Sequence, residues 1–182
     1  MTEVDAFAEF AHDLRGAMGS LRLVISSLLD EDEVEQRRLL LNLADEEVQR
    51  VAATASALPA LAIAAADRST PVSVDLDGAI AAAVAASTRY GVRATPPALV
   101  SGSVLSRPAV LALVLPAVIQ LAAGATGATS VTAEAVAGGV ALTCTCGPLW
   151  PQARHLFTRL AEAGGGRAIE ADGMSFVLPG AP

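Results

Sequence analysis

Residues 4–28 read VDAFAEFAHDLRGAMGSLRLVISSL, and this stretch decides the fold of the N-terminal part. Its apolar residues recur at alternating spacings of three and four, the period of a helix that packs in a bundle. His12 directly follows one of these residues, so its imidazole is expected beside the apolar stripe and facing outward. An exposed histidine on a rigid helix, next to the carboxylate of Asp13, suits acceptance of a phosphoryl group through a ring nitrogen. The stripe consists of Val4, Phe7, Ala11, Leu14, Met18, Leu21, Ile25 and Leu28.

The N-terminal part is predicted to be a helical hairpin. One helix is expected from about Glu3 to Leu29 and another from about Glu33 to Ala66, with an acidic connector that favours the start of the second helix through its dipole. Pro59 predicts a bend or a break late in the second helix. The same spacing of three and four recurs there at Val34, Leu41, Ala44, Val48, Val51, Ala55, Leu58 and Ala62.

A hairpin of this size cannot bury both stripes by itself. Leu39, Leu40 and Leu43 widen the apolar face of the second helix further. We therefore expect two hairpins to pair as a four-helix bundle across a homodimer. The alternative is that this face packs against the C-terminal part of the same chain.

Composition and charge limit the class of protein. The chain has 182 residues and a formal net charge of -7, which argues against nucleic-acid binding because no basic tract could neutralise phosphates. Hydrophobic residues make up 53% and aromatic residues 3%, so the core must consist of Ala, Val and Leu. Cys144 and Cys146 are too close for an unstrained disulfide, which favours a reducing compartment. With an acidic N-terminus and with Pro116 in the longest apolar stretch, we expect a soluble cytoplasmic protein that contacts no membrane.

A turn-like boundary near residues 67–71 separates two predicted domains, 1–68 and 69–182. Beyond it, short strand-like runs alternate with helices, which indicates an α+β fold: an α/β sandwich with helices on one face of a mixed sheet. Asp77 is expected to cap a helix that reaches Arg89, and Pro116 to kink the helix of residues 107–123 or delay its start. Strands are expected at 71–76, 92–95, 98–101, 129–136, 140–146, 168–171 and 174–178, and a last helix at 150–163.

The segment Phe10-Ala11-His12-Asp13-Leu14-Arg15 resembles the H-box of bacterial sensor histidine kinases. In that family a phosphorylatable histidine precedes an acidic residue, a leucine and a basic residue. The resemblance implies a dimerisation and histidine-phosphotransfer domain, followed by a domain similar to the kinase ATP-binding domain. Residues 160–167 (LAEAGGGR) and 174–179 (MSFVLP) resemble the closing helix and hairpin of that second domain.

The chain departs from the kinase pattern at each nucleotide contact. The family places an Mg²⁺-binding asparagine on the central helix, where this chain has Gln120. The family's Asp-x-Gly-x-Gly loop matches residues 144–149, which read CTCGPL and contain no carboxylate. Only residues 124–128 connect the central helix to the next strand, too few for a nucleotide lid. The resemblance therefore implies a degenerate ATP-binding domain with no cofactor.

A kinase-like dimer without a nucleotide site resembles the dimeric histidine phosphotransferases more closely than ordinary kinases. In this family the histidine takes a phosphoryl group from one receiver-domain aspartate and passes it to another. The receivers of response regulators or hybrid kinases are the implied partners, and they supply the Mg²⁺. Ala17 stands where the kinase H-box usually has proline, and Gly16 stands where kinases with phosphatase activity carry Thr or Asn.

These considerations give a set of candidate site residues. His12 is the candidate phosphoryl carrier, and Asp13 could orient its imidazole; the alternatives are an ordinary surface histidine and a solvated carboxylate. Glycine costs about 1 kcal/mol in a helix interior, so two of them suggest close approach of a partner or tight packing within the bundle. Arg15 could hold the phosphoryl group or form a plain surface salt bridge. The candidate docking residues are Arg15, Gly16, Gly19, Arg22 and Leu23.

Three other interpretations remain open. A pseudokinase-like adaptor would dimerise and bind signalling partners without phosphotransfer. An active kinase with an unusual nucleotide site would be labelled by ATP alone. An unrelated helical dimer with an accidental H-box would bind no receiver. His155, Cys144 and Cys146 are expected to be structural or surface residues, and no set of metal ligands at suitable spacing is evident.

Overall fold

Two long helices form a hairpin at the N-terminus of the computed structural model, which describes residues 3–97, 102–146, 153–171 and 173–182. α1 spans Glu3–Asp30 and α2 spans Val34–Ala66, close to the predicted bounds. The seam between them consists of half-buried or buried positions that recur every three or four residues. On α1 they are Leu14, Ala17, Leu21, Val24 and Leu28, and on α2 they are Leu40, Ala44, Glu47, Val51, Thr54 and Leu58.

This seam takes only part of the predicted stripes. Leu14, Leu21 and Leu28 face the seam, whereas Met18 and Ile25 are exposed. The predicted stripe thus contains two alternating sets of apolar residues, one that faces α2 and one that faces solvent. A stripe at spacings of three and four is wide enough to face two neighbours. The hairpin uses one side of it, and the other side remains on the surface.

The rest of the described chain folds as an α/β unit, so the α+β class is confirmed. Its strands are β1 (Val72–Asp75), β2 (Arg93–Thr95), β3 (Ser103–Ser106), β4 (Ala128–Val136), β5 (Gly139–Cys144), β6 (Arg167–Ala171) and β7 (Gly173–Pro179). Its helices are α3 (Leu76–Thr88), α4 (Pro108–Ala123) and α5 (Ala153–Ala163), with a short 3₁₀ turn at Gly124–Thr126. The predicted division at residues 68 and 69 stays a prediction.

The main sheet has the strand order β2-β4-β5-β7-β6 and is mixed, because β2 runs parallel to β4 while the other pairs are antiparallel. β1 and β3 form a separate antiparallel pair, which the sequence did not predict. The predicted strand at 98–101 lies entirely outside the described residues, and so does the start of the last predicted helix, residues 150–152.

α4 is the central helix of the core, and small side chains let the layers approach closely. Leu115, Val118 and Ile119 of α4 meet Leu142 and Phe176 of the sheet around a void of only about 10 Å³. Phe176 also meets Phe157 of α5 edge to face, with ring centroids 5.9 Å apart. These two rings are the aromatic side chains among the buried residues that the structure describes, and leucines supply most of the remaining bulk.

Both interior prolines are accommodated within continuous helices. α4 begins with Pro108 in its first turn and runs through Pro116, and α2 runs through Pro59. The predicted break at Pro59 and delayed start at Pro116 are therefore wrong. A proline deprives the carbonyl four residues earlier of its donor; here those residues are Ala55 and Ala112, and both are exposed, so water can satisfy their carbonyls.

The start of α3 also differs from the prediction. Asp75 caps the helix, since its Oδ2 accepts a hydrogen bond from the Gly78 backbone N–H at 3.1 Å, and Asp77 lies within the first turn. Among the described residues, α2 alone is long and apolar enough to cross a bilayer by length and composition, a test that core helices also pass.

Candidate functional site

His12 lies on α1 with its side chain exposed to solvent. The reason is helical geometry: His12 precedes the seam residue Leu14 by two positions, which places it roughly 200° round the helix and so away from α2. The side chain of its neighbour Asp13 lies outside what the structure describes. The predicted exposed position of the candidate phosphoryl carrier is therefore confirmed, and its chemistry stays a prediction.

The five candidate docking residues share a face with His12. The helical period places them within roughly 80° of it round α1, and all five are exposed: Arg15, Gly16, Gly19, Arg22 and Leu23. Leu23 is 71% exposed, which is high for a large apolar side chain. The face thus combines two cations, two glycines and one apolar side chain around the imidazole.

The two glycines leave open space beside His12. A Cβ built on Gly16 or on Gly19 would meet nothing within 4 Å. Tight packing inside the hairpin therefore does not explain either glycine. The space they leave is available to another molecule that approaches the helix backbone next to the imidazole.

The α/β unit packs on the hairpin at about the height of His12. Ala53, Ala57 and Ala60, in the second half of α2, are almost wholly buried, and α2 contacts α4, α5 and the 3₁₀ turn. Because three residues join two helices that pack side by side, the helices run antiparallel, and His12 lies opposite roughly residue 52 of α2. The α/β unit therefore packs on α2 at the level of His12, while His12 itself faces away from α2.

The side chain of Gln120 is buried where α4 packs on α2 and is hydrogen-bonded there. It is 7% exposed, and its carboxamide oxygen accepts a hydrogen bond from the hydroxyl of Ser56 on α2. Gln120 holds the place that the histidine-kinase resemblance gives to the Mg²⁺-binding asparagine. In this chain the side chain at that place contacts the hairpin instead, and sequence reasoning did not single out Ser56.

The connection after α4 is as short as the sequence predicted. α4 ends at Ala123 and β4 begins at Ala128, with a 3₁₀ turn between them. Thr126 Oγ1 donates to the carbonyl of Ala123 at 2.7 Å and closes this turn. The segment 144–149, which the resemblance matches to the family's Asp-x-Gly-x-Gly loop, is described only as far as Cys146, and residues 147–149 lie outside the described residues.

A groove of about 460 Å³ lies elsewhere, between α3 and the start of α4. Its lining is apolar apart from Arg89 and does not include Gln120. Within the described ranges no three His, Cys, Asp or Glu side chains group as metal ligands.

The remaining candidates take the structural places expected for them. His155 is exposed on α5, Cys144 is buried in β5, and Cys146 is half-buried just after it. Burial raises the pKa of the Cys144 thiol to about 12, so this thiol stays protonated at neutral pH.

Comparison with known proteins shows the fold. No family model and no curated protein sequence matches the chain. Among solved structures, the histidine kinase AdeS of Acinetobacter baumannii matches with a TM-score of 0.51 and 16% identity, over 93% of this chain and 97% of that one. This chain shares its fold with a histidine kinase. At this identity the likeness concerns architecture and leaves the activity open.

Other solved structures match with lower scores, two of which follow. The ATP-binding domain of PrrB from Mycobacterium tuberculosis has a TM-score of 0.49 and 19% identity, over 63% of this chain and all of that one. A bacterial phosphotransferase has a TM-score of 0.42 and 15% identity, over 98% of this chain and 97% of that one.

Proposed function

We propose that this protein is a homodimeric histidine phosphotransferase of a bacterial two-component phosphorelay. It passes a phosphoryl group between receiver-domain aspartates through His12 and binds no ATP. The observation that carries the proposal is the exposed face of α1, where His12 is flanked by cations and by open space at Gly16 and Gly19, in a chain with the histidine-kinase fold.

The chemistry needs little from the protein beyond a presented imidazole. A neutral ring nitrogen of His12 attacks the phosphorus of a receiver aspartyl phosphate, and the P–O bond to the carboxylate breaks with the electron pair leaving on the aspartate. The other ring nitrogen keeps its proton, which Asp13 can accept in a hydrogen bond. Transfer to a second receiver reverses these steps, and Mg²⁺ comes with the receiver.

The use of Gln120 supports the absence of ATP chemistry. An Mg²⁺-nucleotide needs oxygen ligands and backbone donors around its phosphates. Gln120 is instead buried against Ser56, and the short turn after α4 has no room for a lid. We accordingly assign the α/β unit a role in docking rather than in nucleotide binding.

The exposed side of the hairpin supports the homodimer. Met18 and Ile25 of α1 and Leu41 and Val48 of α2 are between 45% and 57% exposed in the single chain. By the helical period these residues lie on the same side of the hairpin, and a second hairpin could cover them to complete a four-helix bundle. A cytoplasmic location is part of the same proposal.

Phosphoryl transfer from a panel of phosphorylated receiver domains tests the function. The native protein should take up label that is acid-labile and stable in base, His12→Ala should take up none, and His155→Ala should behave as native because it removes the only other histidine. Receiver binding without label in the native protein and in both variants would favour the pseudokinase-like adaptor. Label from ATP alone would favour an active kinase, and no receiver binding at all would favour an unrelated helical dimer.

A further inference from the structure

One guanidinium group ties together the ends of two helices. Arg107, the residue before α4, donates through Nη1 to the carbonyls of Ala64 at 3.2 Å and Asp67 at 2.7 Å, at the end of α2. Its Nη2 donates to the carbonyl of Ala163, the last residue of α5, at 3.3 Å. Helix C-termini carry unpaired carbonyls and partial negative charge, so a single cation satisfies both ends at once.

A second contact lies further along the same pair of helices. Ser56 of α2 bonds Gln120 near the end of α4, while Arg107 binds the end of α2 at the start of α4. Between them, Ala57 and Ala60 are fully buried. Two directional contacts about three and a half turns apart along α4 fix both the separation and the rotation of the helices, which apolar packing alone would leave adjustable.

We propose that Arg107 and the Ser56–Gln120 pair are positioning residues that hold the α/β unit in one orientation on the second half of α2, at the level of His12. In this arrangement a receiver that reaches both His12 and the α/β unit meets the two at a fixed separation, and phosphoryl transfer needs no movement of the α/β unit. The inference deepens the function proposed above and rests on it for the transfer step. The fixed orientation itself stands on the contacts and is measurable without any receiver.

The chain supplies a matched control for Arg107. Arg68 also binds a carbonyl at the end of α2, that of Ala65 at 2.7 Å, but this bond stays within the end of α2. Arg107→Gln removes the bridge between α2, α4 and α5, whereas Arg68→Gln removes a cation from the same helix end without touching a bridge. Arg107→Lys keeps the charge and loses the fork that reaches both helices.

Native-state hydrogen exchange on the full chain measures the orientation without a receiver. We expect Arg107→Gln to lower the protection of the second half of α2 and of the end of α5, while the core strands β4, β5 and β7 keep theirs. Arg68→Gln should affect only the last turn of α2. Equal exchange patterns in the two variants would overturn the positioning role of Arg107.

Transfer kinetics measure the consequence for docking. For Arg107→Gln we expect the KM for the phosphorylated receiver to rise about ten- to a hundredfold, because misplaced docking groups cost that much, with a smaller change in kcat. Arg107→Lys should fall between Arg107→Gln and native. A fall in kcat at unchanged KM would contradict a docking role.

A covalent tether guards against simple loss of folding. The tether is built in the Arg107→Gln variant by adding Ser56→Cys and Gln120→Cys. Cys146→Ser removes the more accessible native thiol. The two new cysteines should form a disulfide that restores exchange protection and KM. Reduction should abolish the rescue. A tether that restores exchange protection but not KM would overturn the docking role. Native protein that takes no label from any receiver would contradict the phosphotransfer proposal, and the exchange result would still stand.

Discussion

The exposure of His12 follows from its register on α1. The seam residues Leu14, Ala17 and Leu21 point at α2, so a residue two positions before the first of them must point away. The same arithmetic places Arg15, Gly16 and Gly19 beside it. The sequence therefore predicted the composition of this face, while the space above the glycines became measurable only with the neighbouring helix in place.

Cys144 gives a prediction at the scale of one residue. Burial raises its pKa from 9.0 to about 12, so between pH 9 and 12 the unfolded thiol ionises while the folded thiol does not. Its contribution to stability is therefore complete below pH 9 and is lost as the pH rises toward 12. Urea unfolding at pH 8 and pH 10 should show a loss larger by about 1.4 kcal/mol in native protein than in Cys144→Val.

The same comparison isolates the contribution of Cys144. Every other ionisable group is present in both proteins, so the comparison leaves the effect of this one side chain. An equal pH dependence in native protein and Cys144→Val would show that Cys144 ionises in the folded state as it does in the unfolded chain.

The ends of elements were harder to predict than their existence. Two aspartates, Asp75 and Asp77, stand at the start of α3, and both are residue types that cap helices. The antiparallel pairing of β1 with β3 decides between them, because it extends through Asp75 and leaves Leu76 as the first helical residue. A partner strand thirty residues later thus determines a local boundary.

The cap of α3 gives a prediction at the scale of one element. Asp75→Ala removes the acceptor for the Gly78 backbone N–H and should lower the free energy of unfolding by about 1 kcal/mol. Asp75→Asn retains a capping oxygen and should lose much less. Thermal or urea unfolding of the two variants measures the difference, and equal losses would mean that the hydrogen bond is not what stabilises this end.

At the scale of the whole molecule, the α/β unit covers the second half of α2 and leaves apolar residues of the first half exposed. Its second half is covered by the α/β unit at Ala53, Ala57 and Ala60, while Leu41 and Val48 in its first half are exposed. Of the two alternatives for the wide apolar face, packing against the C-terminal part of the same chain is present at the second half of α2, and pairing with a second hairpin stays a proposal for the first half. Packing on the α/β unit is present, and it leaves the first half of α2 uncovered.

The homodimer gives the prediction at this scale. Sedimentation equilibrium should give twice the chain mass for native protein, and Leu41→Arg with Val48→Arg should give the single-chain mass, because charges cannot enter an apolar bundle core without large cost. Leu23→Arg is the matched control, since Leu23 lies roughly 140° round α1 from Met18 and outside this face.

Leu23→Arg should keep the dimer and weaken receiver transfer. A native protein that sediments as a single chain would contradict the four-helix bundle. A dimer that survives the two arginines would place the interface elsewhere on the molecule.

The sequence by itself determined the helical hairpin, the α+β class and the exposed face around His12, because hydrophobic period and helical register act over a few residues. Only the tertiary structure decided how the two parts meet. Arg107 and Ser56 find their partners dozens of residues away, and no local pattern records such contacts. The contact that Gln120 makes is decided in the same way, because the packing of α2 on α4 brings the hydroxyl of Ser56 to its carboxamide oxygen.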